Sequence, residues 1–315
     1  MSALHKSLDD YLKVRRALGF KLENTEWCLR GFVAFLEVEG AKHITTELAL
    51  RWARRPPNGE PFTWAQRLSR IRLFAAWYRA RDPHTEVPAE GLLSASVRRK
   101  PPFIFSDEQI ADLVRGAEKL PSRRGVRACT FSTMFGLLAV AGLRISEAIA
   151  LDRADIDLRE CQLTVRDTKF GKTRLVPLSE STIEALRRYA RRRDRTFPAA
   201  TTPAFFLSEA GTRVTEWATR YNFAKVSQTT GLRAPAKGYR HGRGPRVHDL
   251  RHSFAARTMV AWYRAGVDVE RALPKLSAYL GHAHVNDTYW YLEAVPELLQ
   301  LATERITGPS AGGRP

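Results

Sequence analysis

Four short segments of this sequence carry side chains of the types that bind an anion or move a proton. In Ala141-Gly-Leu-Arg-Ile-Ser-Glu147, Arg144 stands directly after a long uncharged run, where an arginine is costly unless it meets an anion. Its planar fork suits a phosphate, and the competing use is an ion pair with Glu147 three residues on. In Lys169-Phe-Gly-Lys172, a lysine on a tight turn can reach into a groove and donate a proton, although a solvated turn lysine reads the same way. In His248-Asp-Leu-Arg-His252, His248 and Arg251 share a face if the segment is helical, so the arginine can bind an anionic substrate while the histidine moves a proton. Leu250 and Phe254 would then face the core, and His252 reads equally well as a polar group on the helix surface. In Leu280-Gly-His282, the glycine ends a helix and leaves His282 at its end. Tyr291 follows nine residues later, within Asp287-Thr-Tyr-Trp-Tyr-Leu292. Taken singly, Tyr289 and Tyr291 read more readily as core or surface aromatics than as nucleophiles.

The chain that must position these groups has 315 residues, 51 Lys plus Arg against 33 Asp plus Glu, and a formal net charge of +18. That charge points to a polyanion such as nucleic acid. A hydrophobic content of 44% excludes wholesale disorder. Three cysteines, Cys28, Cys129 and Cys161, make no disulfide framework, and no Cys/His cluster suggests zinc, so a reducing, cytoplasmic setting is expected. The N-terminus lacks the apolar core of a signal peptide. The longest uncharged run, Ala128–Leu143, is shorter than the roughly 20 residues that span a bilayer, and it reads as a buried helix.

Apolar periodicity predicts helices at Leu4–Leu18, Thr25–Glu39, Thr45–Arg54 and Thr63–Arg81, a small bundle. The basic cluster Arg98, Arg99, Lys100 followed by Pro101-Pro102 reads as an extended linker, able to lie along phosphates or simply to be solvated. Beyond it, Ser106-Asp-Glu-Gln109 is a capping-box pattern, followed by a helix over Arg127–Leu143. Gln162–Arg166 and Thr173–Pro177 read as a hairpin with a basic tip. Helices resume at Ser179–Arg193, Val214–Thr229, Val247–Ala265, Val269–Leu280 and Asp287–Thr307. Gly231–Gly244 reads as a mobile basic loop, and Gly308–Pro315 as a disordered tail. The fold class is therefore mainly α with a small β-hairpin or sheet (α+β). Residues 1–90 hold a net charge of +4 and residues 91–315 a net of +14.

In this order the segments resemble the tyrosine recombinase (phage integrase) family. Gly142-Leu-Arg-Ile-Ser-Glu147, Lys172 before Arg174-Leu-Val-Pro-Leu178, His248–His252, Leu280-Gly-His282 and Tyr291 follow the family's arrangement, with Tyr291 three residues after Thr288. The resemblance covers about residues 105–300. It implies a helical DNA-clamping (SAM-like) domain at 1–90, a basic linker at 91–104, a catalytic domain at 105–307 and a disordered tail at 308–315. Carried over residue by residue, it makes Arg144 and Arg251 holders of the scissile phosphate and Lys172 the general acid. His248 and His282 become the active-site histidines, and Tyr291 the nucleophile, ranked above Tyr289. The Tyr-Trp-Tyr sequence resembles a subgroup associated with transposable elements.

Such a set fits phosphodiester chemistry. Two arginines neutralise the phosphate and stabilise charge added in the transition state. A phenol must lose its proton to attack, and His248 is the expected acceptor; the leaving 5′ oxygen needs a proton from Lys172. No cofactor, metal or ATP is expected, since the chain lacks a paired-carboxylate site and a Walker loop. The expected partner is double-stranded DNA with specific recombination sites, bound by a homo-tetramer or a hetero-assembly with related recombinases. DNA contacts are expected from Arg98, Arg99, Lys100, Lys169, Arg174, Arg240, Arg243 and Arg246. The final helix, with Leu298, Leu299, Leu301 and Ile306, could dock on a neighbouring subunit or pack within its own chain. The competing activities are a type IB topoisomerase, which would relax arbitrary supercoils without exchange between sites, and a catalytically silent DNA-binding protein.

Overall fold

The computed structural model describes residues 3–55, 59–94, 101–166, 173–235, 244–281, 284, 288–291 and 295–307. The chain divides into two compact units, Met1–Lys100 and Pro101–Pro315. The first unit holds α1 (Ala3–Ala17), α2 (Glu23–Val38), α3 (Thr46–Ala53) and α4 (Pro61–Tyr78) around one core that includes Leu8, Leu12, Phe32, Trp52, Ile71 and Phe74. The predicted start of α4 moves back to Pro61, because proline suits a first helical position whose N–H needs no partner.

The second unit opens with α5 (Asp107–Glu118), and both halves of the predicted capping box form between Ser106 and Gln109. Next comes α6 (Val126–Ala141), apolar on most sides and packed by α5, by α8 (Glu180–Thr196) and by α10 (Val247–Arg264), which buries it as its sequence requires. Gly142, left-handed at φ +59°, ends α6. A short α7 (Ile145–Ala150), which periodicity cannot register at that length, follows at once. The predicted hairpin is part of a three-stranded antiparallel sheet, β1 (Ile156–Asp157), β2 (Gln162–Val165) and β3 (Arg174–Pro177), with Val165 opposite Arg174. Pro177 is tolerated because β3 is an edge strand.

After α8 come α9 (Glu216–Thr229), α10 and α11 (Val269–Leu280), the last started by the Asp268 cap and ended by left-handed Gly281 at φ +65°. Residues 288–291 are helical, and α12 spans Pro296–Thr307. The continuous helix predicted over 287–307 is thus interrupted at Val295, since a residue before proline is pushed out of the helical region. Helix α12 packs against α10 of the same chain and buries Leu298. No helix among the described residues is long and apolar enough to cross a membrane.

Two apolar clusters fill this unit. One gathers α5, α6, the sheet, α8 and α9 and reaches Leu250; the other joins Ala255 of α10 to α11, Tyr291 and Leu298. The second turn of α10 lies where they meet.

Candidate active site

Arg144 is the residue before α7, and its backbone N–H donates to the Glu147 carboxylate at 2.8 Å. Its guanidinium donates to the same carboxylate at 2.8 Å and to the carbonyl of Gly281 at 2.7 Å. The ion pair posed as the competing use of Arg144 therefore forms, yet it forms beside groups from three other elements. Arg174 of β3 grips Glu147 with both arms of its fork, at 2.8 and 3.1 Å. Arg251 of α10 lies 3.9 Å from the same carboxylate and donates to Gly142 at 2.8 Å and to Leu280 at 2.5 Å. Residues distant in sequence thus converge at the ends of α6 and α11, on either side of α7.

Glu147 is the shared anion of this nest. Burial pushes its carboxyl pKa up, but hydrogen bonds from Arg174 and from the Arg144 backbone, with the charges of Arg174 and Arg251, outweigh that and hold it below the ordinary carboxylate value. Arg251 is 1% exposed. Burial, then the charge of Arg144, lowers its pKa to about 10, so it stays cationic at neutral pH. The Arg144 side chain is the more open of the two, at 26%.

Gly281 is where backbone and cations touch. A Cβ built there would stand 3.2 Å from Nη1 of Arg174 and 3.5 Å from Nη1 of Arg144. Gly281→Ala adds a left-handed strain of about 1 kcal/mol. It should lower the melting temperature modestly and crowd the Arg174 guanidinium, while the Arg144 guanidinium stays at ordinary contact distance. Melting curves of the two proteins check this; an unchanged melting temperature would show that the glycine is not required here.

His248 stands in the first turn of α10, which Asp249 opens by accepting the Arg246 N–H at 2.6 Å. Ser253 fixes the same helix to the start of the unit, its hydroxyl accepting the Phe105 N–H at 2.8 Å. The His248 ring is surface-accessible yet closely surrounded by protein. Burial first, then the charges of Arg251, Arg246 and Arg144, depress its pKa to about 4, against the pull of Asp249. A histidine whose folded pKa lies below its unfolded value favours the folded state above about pH 6.5. That contribution is lost as pH falls toward 4. A histidine NMR titration of the free protein should show His248 titrating near pH 4; a midpoint at or above 6.5 would contradict this electrostatic account.

Tyr291 is 2% exposed, in the cluster that also holds Val295 and Leu298. Its hydroxyl lies 2.8 Å from Nδ1 of His252, whose ring meets that of His248 edge-to-face at 4.5 Å. Tyr289, two residues earlier, is 41% exposed. Tyr291 is also close enough to Arg251 to affect its charge state.

Of the residues singled out from sequence, the structure brings together Arg144, His248, Arg251 and Tyr291. Arg174, expected on DNA, turns its fork inward to Glu147, while Arg246 keeps an exposed side chain paired with Asp249. Lys172, His282, Arg98, Arg99, Lys100, Lys169, Arg240 and Arg243 lie outside the described residues. Sequence reasoning gave no shared role to Glu147 and left His252 undecided. The alternation of β3 carried a signal for Arg174: Leu175 is exposed and Val176 buried, so the residue two before Val176 faces in.

Comparison with known proteins gives a consistent pattern. Residues 105–297 match the Phage integrase family. The chain is 45% identical over 310 residues to the integrase/recombinase-like protein y4rB of Sinorhizobium fredii (strain NGR234), covering 97% of this chain and 98% of that one. It is 29% identical over 302 residues to the tyrosine recombinase XerD of Mycobacterium tuberculosis, covering 90% of each. In fold it is similar to the Tn1549 transposon integrase in complex with transposon right end DNA, with a TM-score of 0.64 and 17% identity over 96% of this chain and 99% of that one.

Proposed function

This chain belongs to the phage integrase family, the tyrosine recombinases, and from that premise we propose that it is a site-specific recombinase joining DNA strands through a 3′-phosphotyrosyl intermediate. The observation that carries this reading is the convergence of Arg144, of Arg251 and His248 on α10, and of Tyr291, four residues supplied by three separate elements. Arg144 and Arg251 bind the scissile phosphate and stabilise the charge that builds on its oxygens during attack. Tyr291 is the nucleophile, Lys172 protonates the departing 5′ oxygen, and His248 and His282 flank the phosphate. A phosphate adds negative charge beside His248 and brings its low pKa back up. Because the phosphotyrosyl bond keeps the energy of the bond it replaces, a 5′ hydroxyl from another strand can reverse the step, which permits exchange without loss of nucleotides.

The wider role is integration, excision or transposition of a mobile element, carried out by a tetramer on two sites. It is supported by the chain's strong likeness to an integrase/recombinase-like protein and by the Tyr-Trp-Tyr sequence at the nucleophile. The +14 charge of residues 91–315 supports tight, salt-dependent DNA binding. Covalent trapping tests the reading directly. Wild-type protein is incubated with a nicked genomic DNA library, and the DNA left attached is sequenced. Recovery of one defined sequence with protein on a 3′ end is expected. Attachment to arbitrary sequences, with relaxation of supercoils and no exchange between sites, would identify a topoisomerase instead.

A further inference from the structure

We infer that His252 is the residue that takes the phenolic proton when Tyr291 attacks, an assignment that rests on Tyr291 being the nucleophile. The distance of 2.8 Å from Nδ1 to the hydroxyl is within the reach a general base needs. The ring is held on several sides. It packs edge-to-face on Tyr291 at 5.4 Å, on Trp290 at 5.5 Å and on His248 at 4.5 Å. It rides on the turn of α10 that Asp249 caps and Ser253 anchors. In the tautomer with its hydrogen on Nε2, the Nδ1 lone pair faces the phenol.

The alternative acceptor on the same helix is His248, whose ring meets that of His252 at 4.5 Å, while it is His252 whose Nδ1 stands 2.8 Å from the phenol. In the free protein, burial and the charges of Arg251, Arg246 and Arg144 also hold the His248 pKa near 4. Tyr291 and His248 are both in ring contact with His252. Arg251 precedes it on α10 with its fork committed to two carbonyls, and Asp249 is committed to Arg246.

The step balances within these groups. The O–H bond of Tyr291 breaks and its proton passes to Nδ1 of His252. The phenolate oxygen bonds to phosphorus, the bond from phosphorus to the 5′ oxygen breaks with its electron pair on that oxygen, and the oxygen takes a proton from Lys172. On rejoining, the incoming 5′ hydroxyl returns a proton to Lys172 and attacks phosphorus. The departing tyrosine oxygen then recovers its proton from the His252 imidazolium.

The test is single-turnover cleavage of a nicked duplex carrying the sequence recovered by covalent trapping, followed from pH 6 to pH 10 for wild type, His252→Gln and His252→Asn. Both variants should bind the duplex as wild type does and cleave on the order of 10²–10⁴-fold more slowly near pH 7. The deficit should shrink as pH approaches the phenol's ordinary pKa of about 10, where solvent ionises it. Cleavage within twofold of wild type, faster cleavage, or a deficit independent of pH would each overturn the assignment. Peptide mapping of the adduct separates this failure from failure of the underlying reading. An adduct on Tyr291 with pH-independent kinetics removes only His252, whereas an adduct on another tyrosine removes both.

Discussion

Tyr291→Phe is expected to bind DNA with unchanged affinity and to form no covalent adduct on a nicked substrate. The substitution keeps the ring that packs with Val295 and Leu298 and deletes only the oxygen, so the cluster survives. What the protein loses is one hydrogen bond to His252, a stability effect of about 1 kcal/mol. With Tyr291 as the proposed nucleophile, the reaction loses the attacking oxygen, for which a phenyl ring has no substitute. Tyr289→Phe is the matched control, because Tyr289 is exposed and should be dispensable for the adduct. Gel-resolved protein–DNA adducts measured for both variants decide the matter. An adduct formed by Tyr291→Phe would remove Tyr291 from the mechanism, and loss in Tyr289→Phe alone would move the chemistry there.

The second large effect is expected at Arg251. Its two arms reach Gly142 and Leu280, the last residues of two different helices or the residue just beyond. Arg251→Lys keeps the charge, but an ammonium on a flexible stem cannot hold both carbonyls in one plane. One carbonyl is left buried and unpaired, which destabilises the fold by about 1–3 kcal/mol. With Arg251 in its proposed role of stabilising charge on the phosphate, cleavage should fall further, by about 10²–10³-fold. Affinity for DNA, drawn mostly from the many other cations, should change little. Equilibrium binding and cleavage rates measured on the same preparation check this. A loss confined to binding would assign Arg251 to holding DNA and not to the chemical step.

Much of this was legible in the sequence, for identifiable reasons. The helices with strong caps or clean apolar stripes, such as α5 behind Ser106 and α11 between Asp268 and Gly281, lie close to where periodicity and capping chemistry put them. The six-residue α7 and two-residue β1 were not legible, because neither is long enough to show a period and both exist through tertiary contacts. In the site, Arg144 stood out because it directly follows a long uncharged run, and Arg251 because it shares a helix face with His248. His252 did not, since a histidine one position beyond a charged helix face has no local mark. Only the fold, by carrying the turn at 288–291 back onto α10, reveals that its ring meets Tyr291.

The two glycine-ended helices have one more consequence, which concerns net charge and not shape. A helix C-terminus behaves as roughly half a negative charge. The ends of α6 and α11 therefore add about one negative charge to that of Glu147. Three guanidinium groups, Arg144, Arg174 and Arg251, face these, and the nest is left about one positive charge in excess. That excess equals the single negative charge of a phosphodiester. The free protein can thus keep three arginines together without a bound anion, and still retain the attraction needed to draw one phosphate in.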